Sequence, residues 1–327
     1  MGQILRKWKA HIGIIGTGNV GSATAFSILK SCLATELSLV DIKPGLAKAV
    51  AEELKHANSS IKCDVVINYF ERDEDLSNAD IIIISAGYPR QPGIRISRRE
   101  LARKNAEIIK YVAEVVPSRN PGAKYIVVTN PVDAMATLFK RISRADFVIS
   151  TGTHLETLRF RAKLAELLGV SVKEVSGFVG GEHGEAAVIL WSTVRINGMD
   201  LNTYLRMNNK SMNKAEVENY VKEIAEFIID ASGATRYGPA AAFTDIVKAI
   251  VYDENTVLSI ATPHRFNDIG EEVFISVPTV VGNSIGPKLI NILSKDELRS
   301  LHEAARAVYS TYKRSIKELV EDLPHKL

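Results

Sequence analysis

Residues His11–Gly21 read HIGIIGTGNVG, an apolar run that breaks into three spaced glycines. The run His11–Ile15 fits a strand, and the helical pattern Val20–Ser31 opens soon after it. Gly16 permits a tight turn, Gly18 lets the backbone approach a pyrophosphate, and Gly21 lets the helix pack closely on the strand. The helix N-terminus at Asn19 and Val20 then faces negative charge. Asp41 closes the next strand run, Leu37–Asp41, 20 residues beyond Gly21. A carboxylate there accepts hydrogen bonds from a ribose 2′-hydroxyl and repels a 2′-phosphate. The pattern favours NAD, with NADP the weaker alternative because Lys43 stands close by.

Outward from this unit, β-rich runs alternate with helical patterns. Strand runs follow at Asp64–Ile67, Ile81–Ser85, Tyr125–Thr129 and Phe147–Ser150, and helices are expected at Gly45–Asn58 and Ser97–Val116. Runs such as IIIIS and YIVVT fit strands covered on both faces. This alternation predicts an α/β fold, with a Rossmann-type doubly wound parallel sheet over residues 1–150. Right-handed crossovers leave the C-terminal strand ends on one edge, where ligands usually bind.

Residues 151–327 read as a second, mixed α+β domain. A helix near Leu155–Leu168 precedes strand runs at Val175–Val179 and Ala187–Arg195. Helices at Asn213–Ile229 and Tyr237–Tyr252 follow, then strands near Val257–Ala261 and Glu272–Val281. The charged closing helix, Lys295 to about Glu321, is expected to lie on the protein's own surface rather than on a partner.

The composition narrows the function classes. Of 327 residues, 46% are apolar and 24% charged, which excludes a mostly disordered chain. A net charge of +3 is too weak for a surface that binds nucleic acid or anionic membrane as a whole. No run reaches the ~20 apolar residues of a membrane helix. Arg6, Lys7 and Lys9 precede an apolar stretch, but glycines and Asn19 interrupt it, so a signal peptide is not expected. Cys32 and Cys63 make no disulfide framework and no zinc spacing; a reduced, cytoplasmic setting with no metal is the expectation.

Charge is not evenly spread. Ser85–Arg98, SAGYPRQPGIRISR, leaves the IIII run at the ligand edge. Residues 90–104 hold Arg90, Arg95, Arg98, Arg99, Arg103 and Lys104 against one acid, Glu100. The local balance is +5, so the remainder of the chain stands at −2. Guanidinium groups pair with carboxylates through two hydrogen bonds. A cationic flap over a small dianion is one reading; a solvated basic helix start is the other. Thr129-Asn130-Pro131 ends another strand at this edge, and its amide can both donate and accept. In GTHLETLRF, residues 152–160, Glu156 and Arg159 share a helix face. In GEHG, residues 181–184, His183 follows a strand run and sits beside glycine, a suitable place for an acid–base group.

GTGNVG, SAGYPRQPG with its following SR, TNP, GTHLETLRF and GEHG occur in the order and rough spacing of the lactate/malate dehydrogenase family. The sequence resembles that family over nearly its whole length, and within it the LDH-like malate dehydrogenase branch. The resemblance implies a homo-oligomer, tetramer ahead of dimer, that binds NAD and a small dicarboxylate. It implies His183 as the proton donor–acceptor, Glu156 as its carboxylate partner and Arg159 as the ligand of the substrate C1 carboxylate. Arg98 would polarise the reacting carbonyl, Asn130 would contact substrate and nicotinamide, and Thr235 would line the pocket. Ala86 and Gly87 join Gly16, Gly18, Asn19, Val20, Gly21, Asp41 and Asn130 as cofactor contacts. Arg90 falls where malate enzymes carry arginine and lactate enzymes carry glutamine; lactate or dual specificity is the alternative.

Two departures bear on this. Arg90 and Arg98 are eight positions apart, two more than the family spacing, so Arg95 competes for the distal carboxylate. Glu156 replaces the usual aspartate, and its extra methylene must be accommodated. GEHGEA also stands where GEHGDS is commoner, with no chemistry assigned to the change.

Overall fold

The computed structural model describes residues 10–88 and 98–321. The first half runs β1 (His11–Ile15), α1 (Asn19–Lys30), β2 (Glu36–Val40), α2 (Leu46–Ile61), β3 (Val66–Phe70), β4 (Ile81–Ile84), α3 (Arg98–Arg119), β5 (Lys124–Val127), α4 (Val132–Ser143) and β6 (Val148–Ser150). These strands lie in the order β3-β2-β1-β4-β5-β6, all parallel. That is the doubly wound dinucleotide-binding order.

The isoleucines of β4 show why this sheet is covered on both sides. Ile81 and Ile83 join the core under α1, α2 and a later helix, while Ile82 and Ile84 join the core under α3 and α4. Side chains alternate across a strand, so a continuous apolar run needs two apolar layers. Each isoleucine buried in this way contributes roughly 1.5–3 kcal/mol.

The second half runs α5 (His154–Leu168), β7 (Val175–Gly181), β8 (Ala187–Ile196), β9 (Met199–Asp200), α6 (Leu201–Met207), α7 (Lys214–Ser232), α8 (Tyr237–Val251), β10 (Thr256–Arg265), β11 (Glu272–Val281), β12 (Ile285–Lys288) and α9 (Lys295–Glu321). Its strands pair antiparallel in the order β10-β11-β7-β8-β9, with β12 on β11. They continue the first sheet through an antiparallel pairing of β10 with β6, Ala261 opposite Ser150. Helix α8 covers the α1 face, and α9 buries Leu301, Ala305, Val308 and Tyr312 against the rest of the chain. The apolar side of the closing helix therefore packs on its own protein, as its pattern suggested. No helix among the described residues is long and apolar enough to cross a membrane.

Helix α4 was not read from the sequence, and its burial explains why. Every residue from Val132 to Phe139 is buried, Asp133 and Thr137 included, so no polar stripe marks its period. Helix α3 also runs past Val116 through Pro117 to Arg119. Pro117 lies in the last turn, where losing one backbone donor disrupts only the helix end.

The cysteines correct an expectation. Cys32 and Cys63 are bridged, with Cα atoms 5.7 Å apart. Helices α1 and α2 lie on one face of parallel strands, so both end at the same sheet edge, and each cysteine stands just past one of these ends. A separation of 31 residues gave no sign of this juxtaposition. The bridge closes a loop that contains β2, α2 and Asp41. Restricting the unfolded chain by such a loop is worth about 3–4 kcal/mol. Cys32→Ser or added reductant should therefore lower Tm by about 5–10 °C in calorimetry. Equal transitions with and without reductant would reject this contribution.

Candidate active site

The loops after β1, β4 and β5 are locked together at the C-terminal strand edge. Gly16 has φ +90°, and a Cβ there would lie 2.4 Å from the Ala86 nitrogen. At Gly21 a Cβ would meet the Gly16 carbonyl oxygen at 1.9 Å, so helix and turn touch backbone to backbone. Ser85 Oγ donates to the Gly16 carbonyl at 2.8 Å, and Thr129 Oγ1 donates to the Ala86 carbonyl at 2.6 Å. Asn105, buried in α3, completes the clamp. Its Oδ1 accepts from the Tyr88 N–H at 2.7 Å, and its Nδ2 donates to the Asn130 carbonyl at 2.6 Å. The Asn130–Pro131 peptide is cis, and Asn130 itself is exposed.

The residues present fit a dinucleotide. Gly18 faces open space where a Cβ would stand, and no side chain caps α1. The first-turn N–H groups at Asn19 and Val20 lack intrahelical partners and suit a phosphate. Asp41 lies one residue beyond β2, where its Oδ2 accepts from the Thr17 N–H at 2.8 Å and its Oδ1 from the Lys43 N–H at 2.9 Å. Lys43 thus meets Asp41 through its backbone.

Across this edge, α5 and the turn after β7 bring three predicted residues together. Both Glu156 carboxylate oxygens stand 3.0 Å from His183 Nδ1. A carboxylate only accepts, so Nδ1 carries the hydrogen and Nε2 is left to exchange a proton. Arg159, one turn along α5, donates to Glu156 Oε1 at 3.2 Å. The extra methylene of glutamate is accommodated with these contacts intact. Burial alone would push Glu156 up, but the charges of His183 and Arg159 hold its carboxyl below the usual range. Burial likewise disfavours the His183 imidazolium, yet Glu156 overrides it and raises the histidine above its ordinary value. Each partner holds the other charged.

Buried hydroxyls hold this arrangement from behind. The Thr153 N–H donates to Ser276 Oγ at 2.9 Å, and Thr153 Oγ1 donates to the Val179 carbonyl at 2.5 Å. The Val179 N–H donates to Thr157 Oγ1 at 3.0 Å. Asp133 accepts from the His183 N–H at 2.8 Å and from Ser150 Oγ at 2.7 Å. Burial pushes Asp133 up to about 6 and Glu182 up to about 7. Neither Asp133 nor Asn105 was singled out from the sequence. The available signal for Asp133 was an acid in an otherwise apolar stretch directly after TNP.

Other predicted residues are less closely placed. Thr235 is half-buried between α7 and α8, and among the described residues no hydrogen bond joins it to His183, Glu156 or Arg159. The start of α8 does adjoin α5, since a Cβ on Gly238 would meet Leu155 at 3.0 Å. Arg90 and Arg95 lie outside the described residues, and Arg98 is placed only as the first residue of α3. Within the basic cluster, Arg103 pairs with Glu107 at 2.7 Å and Lys104 lies 3.8 Å from the Tyr88 ring centroid.

Comparison with known proteins identifies the family. Residues 10–147 match the lactate/malate dehydrogenase NAD binding domain, and residues 153–321 match the alpha/beta C-terminal domain of the same family. A malate dehydrogenase of Sulfurisphaera tokodaii is 44% identical over 308 residues, covering 94% of this chain and 97% of that protein. L-lactate dehydrogenase 1 of Clostridium acetobutylicum is 33% identical, covering 92% and 97%. The ligand-bound crystal structure of a minor L-lactate dehydrogenase from Enterococcus mundtii superposes with a TM-score of 0.85 at 30% identity, over 93% of this chain and 99% of that one. With a dinucleotide edge in one half and a His–carboxylate–Arg group in the other, the chain belongs to the lactate/malate dehydrogenase family of NAD-dependent 2-hydroxy acid oxidoreductases.

Proposed function

We propose that this protein interconverts (S)-malate and oxaloacetate with NAD, the alternative being L-lactate dehydrogenase or an enzyme that takes both acids. The His183 Nδ1–Glu156 contact carries the chemical reading. The cofactor, when bound, would supply the hydride acceptor as NAD+ in oxidation and the hydride donor as NADH in reduction. His183 takes the substrate hydroxyl proton through Nε2 in oxidation and returns it in reduction. Glu156 fixes the ring and stabilises its charged form. In this reading Arg159 pairs with the C1 carboxylate, Arg98 meets charge developing on the carbonyl oxygen, Asn130 contacts substrate and nicotinamide, and Thr235 lines the pocket.

Two observations favour malate. Arginine stands at position 90 in AGYPR, and the malate dehydrogenase of Sulfurisphaera tokodaii shares more identity with the chain than the clostridial lactate enzyme does. Arg90 would meet the C4 carboxylate, with Arg95 as its rival. Asp41 supports NAD over NADP, because its anchored carboxylate opposes a 2′-phosphate. The same proposal includes a cytoplasmic homo-oligomer, tetramer ahead of dimer, with domains at 1–150 and 151–327.

Steady-state rates should give oxaloacetate at least about a 10²-fold higher kcat/KM than pyruvate, the size expected when a buried cation loses its partner. Arg90→Gln should erode that preference far more than Arg95→Gln. Comparable efficiencies for the two acids would reject malate specificity, and the reverse mutant order would move the role to Arg95. With oxaloacetate, NADH should outperform NADPH, and Asp41→Ala should narrow the gap; an unchanged ratio would remove Asp41 from cofactor choice.

His183→Asn should lower turnover by about 10²–10⁴-fold while NADH binding, followed by fluorescence, persists. Reduction needs imidazolium, so its kcat/KM should hold at low pH and fall as pH rises through a pKa above the ordinary histidine value. Oxidation needs the neutral ring and should rise through the same pKa. Glu156→Gln should move both limbs to lower pH. Limbs that stay in place would deny the coupling of the pair.

A further inference from the structure

The turn that carries His183 has few bonds of its own. Within it, the Glu182 N–H meets the Ala186 carbonyl at 3.4 Å and the Ala187 N–H meets the Gly184 carbonyl at 3.3 Å. The His183 N–H turns away from both and donates to Asp133 Oδ2 at 2.8 Å. Asp133 is 2% exposed in the first turn of α4, three residues after Asn130. Its Oδ1 accepts from Ser150 Oγ at 2.7 Å, and Ser150 Oγ accepts from the Gly152 N–H at 3.1 Å just ahead of α5. One carboxylate therefore joins the segment bearing Asn130, the turn leading to Glu156, and the turn bearing His183.

We infer that Asp133 is a positioning residue: it sets His183 Nε2 relative to Asn130 and Glu156, so that the proton is exchanged where the substrate hydroxyl is held. The inference rests on the proposed acid–base role of His183. Asp133 touches the backbone of His183 and not the reacting atoms, so it acts through placement. Its charge also acts on the ring, adding to the pull of Glu156 on the imidazolium and opposing that of Arg159. Glu182 also lies beside this group, and Glu185 acts on Glu182 in turn.

The two parts of the role separate by substitution. In Asp133→Asn the amide oxygen can still accept from the His183 N–H, and the amide nitrogen can donate to Ser150 Oγ. Geometry is kept and charge is lost. In Asp133→Ala both are lost, and the buried His183 N–H is left without its partner. Oxaloacetate reduction should then show kcat lower by about 10- to 100-fold in Asp133→Ala, with KM and NADH affinity within a few-fold of the parent. Asp133→Asn should restore most of kcat, with the alkaline limb of its pH profile moved to lower pH.

Wild-type kcat in Asp133→Ala would overturn the inference. So would a joint loss of kcat, NADH affinity and Tm in Asp133→Ala alongside an unshifted profile in Asp133→Asn, which is the signature of packing alone. If Asp133→Ala does not fold, the profile of Asp133→Asn decides by itself. His183→Gln is the parallel control. Retained turnover there would sink both the acid–base reading and this inference. An inactive His183→Gln with parent-like Asp133 variants would sink this inference alone.

Discussion

Glu156 holds its negative charge at 4% exposure, and a charge so far from water persists only where cations and hydrogen bonds replace the water. Its two partners arrive by different routes. Arg159 comes from the next turn of the same helix, a neighbour that helical spacing guarantees. His183 comes from the end of β7, which is not adjacent to β6 in the sheet; β10 and β11 stand between them. Ser150 on β6 faces Ala261 on β10, and Ser276 on β11 faces Gly181 on β7. The register of these middle strands brings a histidine turn and a helix start from separate parts of the chain to 3.0 Å. The antiparallel half of the sheet thus sets the distance on which the buried charge depends.

That junction has a backbone problem, and hydroxyls solve it. Where the ladder between parallel and antiparallel strands thins out, N–H and C=O groups are buried without strand partners. Thr153, Thr157, Ser259 and Ser276 supply the missing bonds, two of them converging on the Val179 carbonyl. Ser150 and Asp133 do the same on the other side. Removing one hydroxyl leaves a buried donor or acceptor bare, at a cost of about 1–3 kcal/mol. The geometry also restricts the backbone. A Cβ on Gly152 would approach Ser276 Oγ to 2.1 Å and the Ala261 nitrogen to 2.6 Å, so that turn admits only glycine's bare backbone.

Much of the architecture was legible because it follows from local period. The β1–α1 unit, the IIII strand, the α5 face bearing Glu156 and Arg159, and the closing helix all appear at or near the expected residues. Helix α4 was missed because its first two turns are buried on every side, which erases the periodic signal. Asp133 went unread with it, since an acid in an apolar stretch has no local meaning until Ser150 and His183 are brought to it from 17 and 50 residues away. Asn105 is a similar case, one amide among the charged residues of α3 whose bonds run to two different loops. The disulfide was hidden for the same reason. It depends on where two helices end, and sequence separation does not report that.

The acids around His183 raise a question of charge. Glu156 and Asp133 act on the ring, Glu182 interacts with it as well, and three full negative charges would oppose any anionic substrate. Burial distinguishes them. Glu156 has His183 and Arg159 against it and stays ionised, whereas Asp133 rises to about 6 and Glu182 to about 7. Burial thus favours the neutral forms of Glu182 and Asp133, whereas Glu156 stays committed to the histidine. As pH falls, Glu182 and then Asp133 lose their charge, and each loss weakens the pull on the imidazolium. The ring then gives up its proton more readily just as protons become more abundant. His183 is raised above both acids, so the ring is already charged where they titrate, and the apparent values belong to the cluster rather than to His183 alone. Anion repulsion falls as the acids titrate, so proton transfer and substrate affinity are linked through the same buried carboxyls.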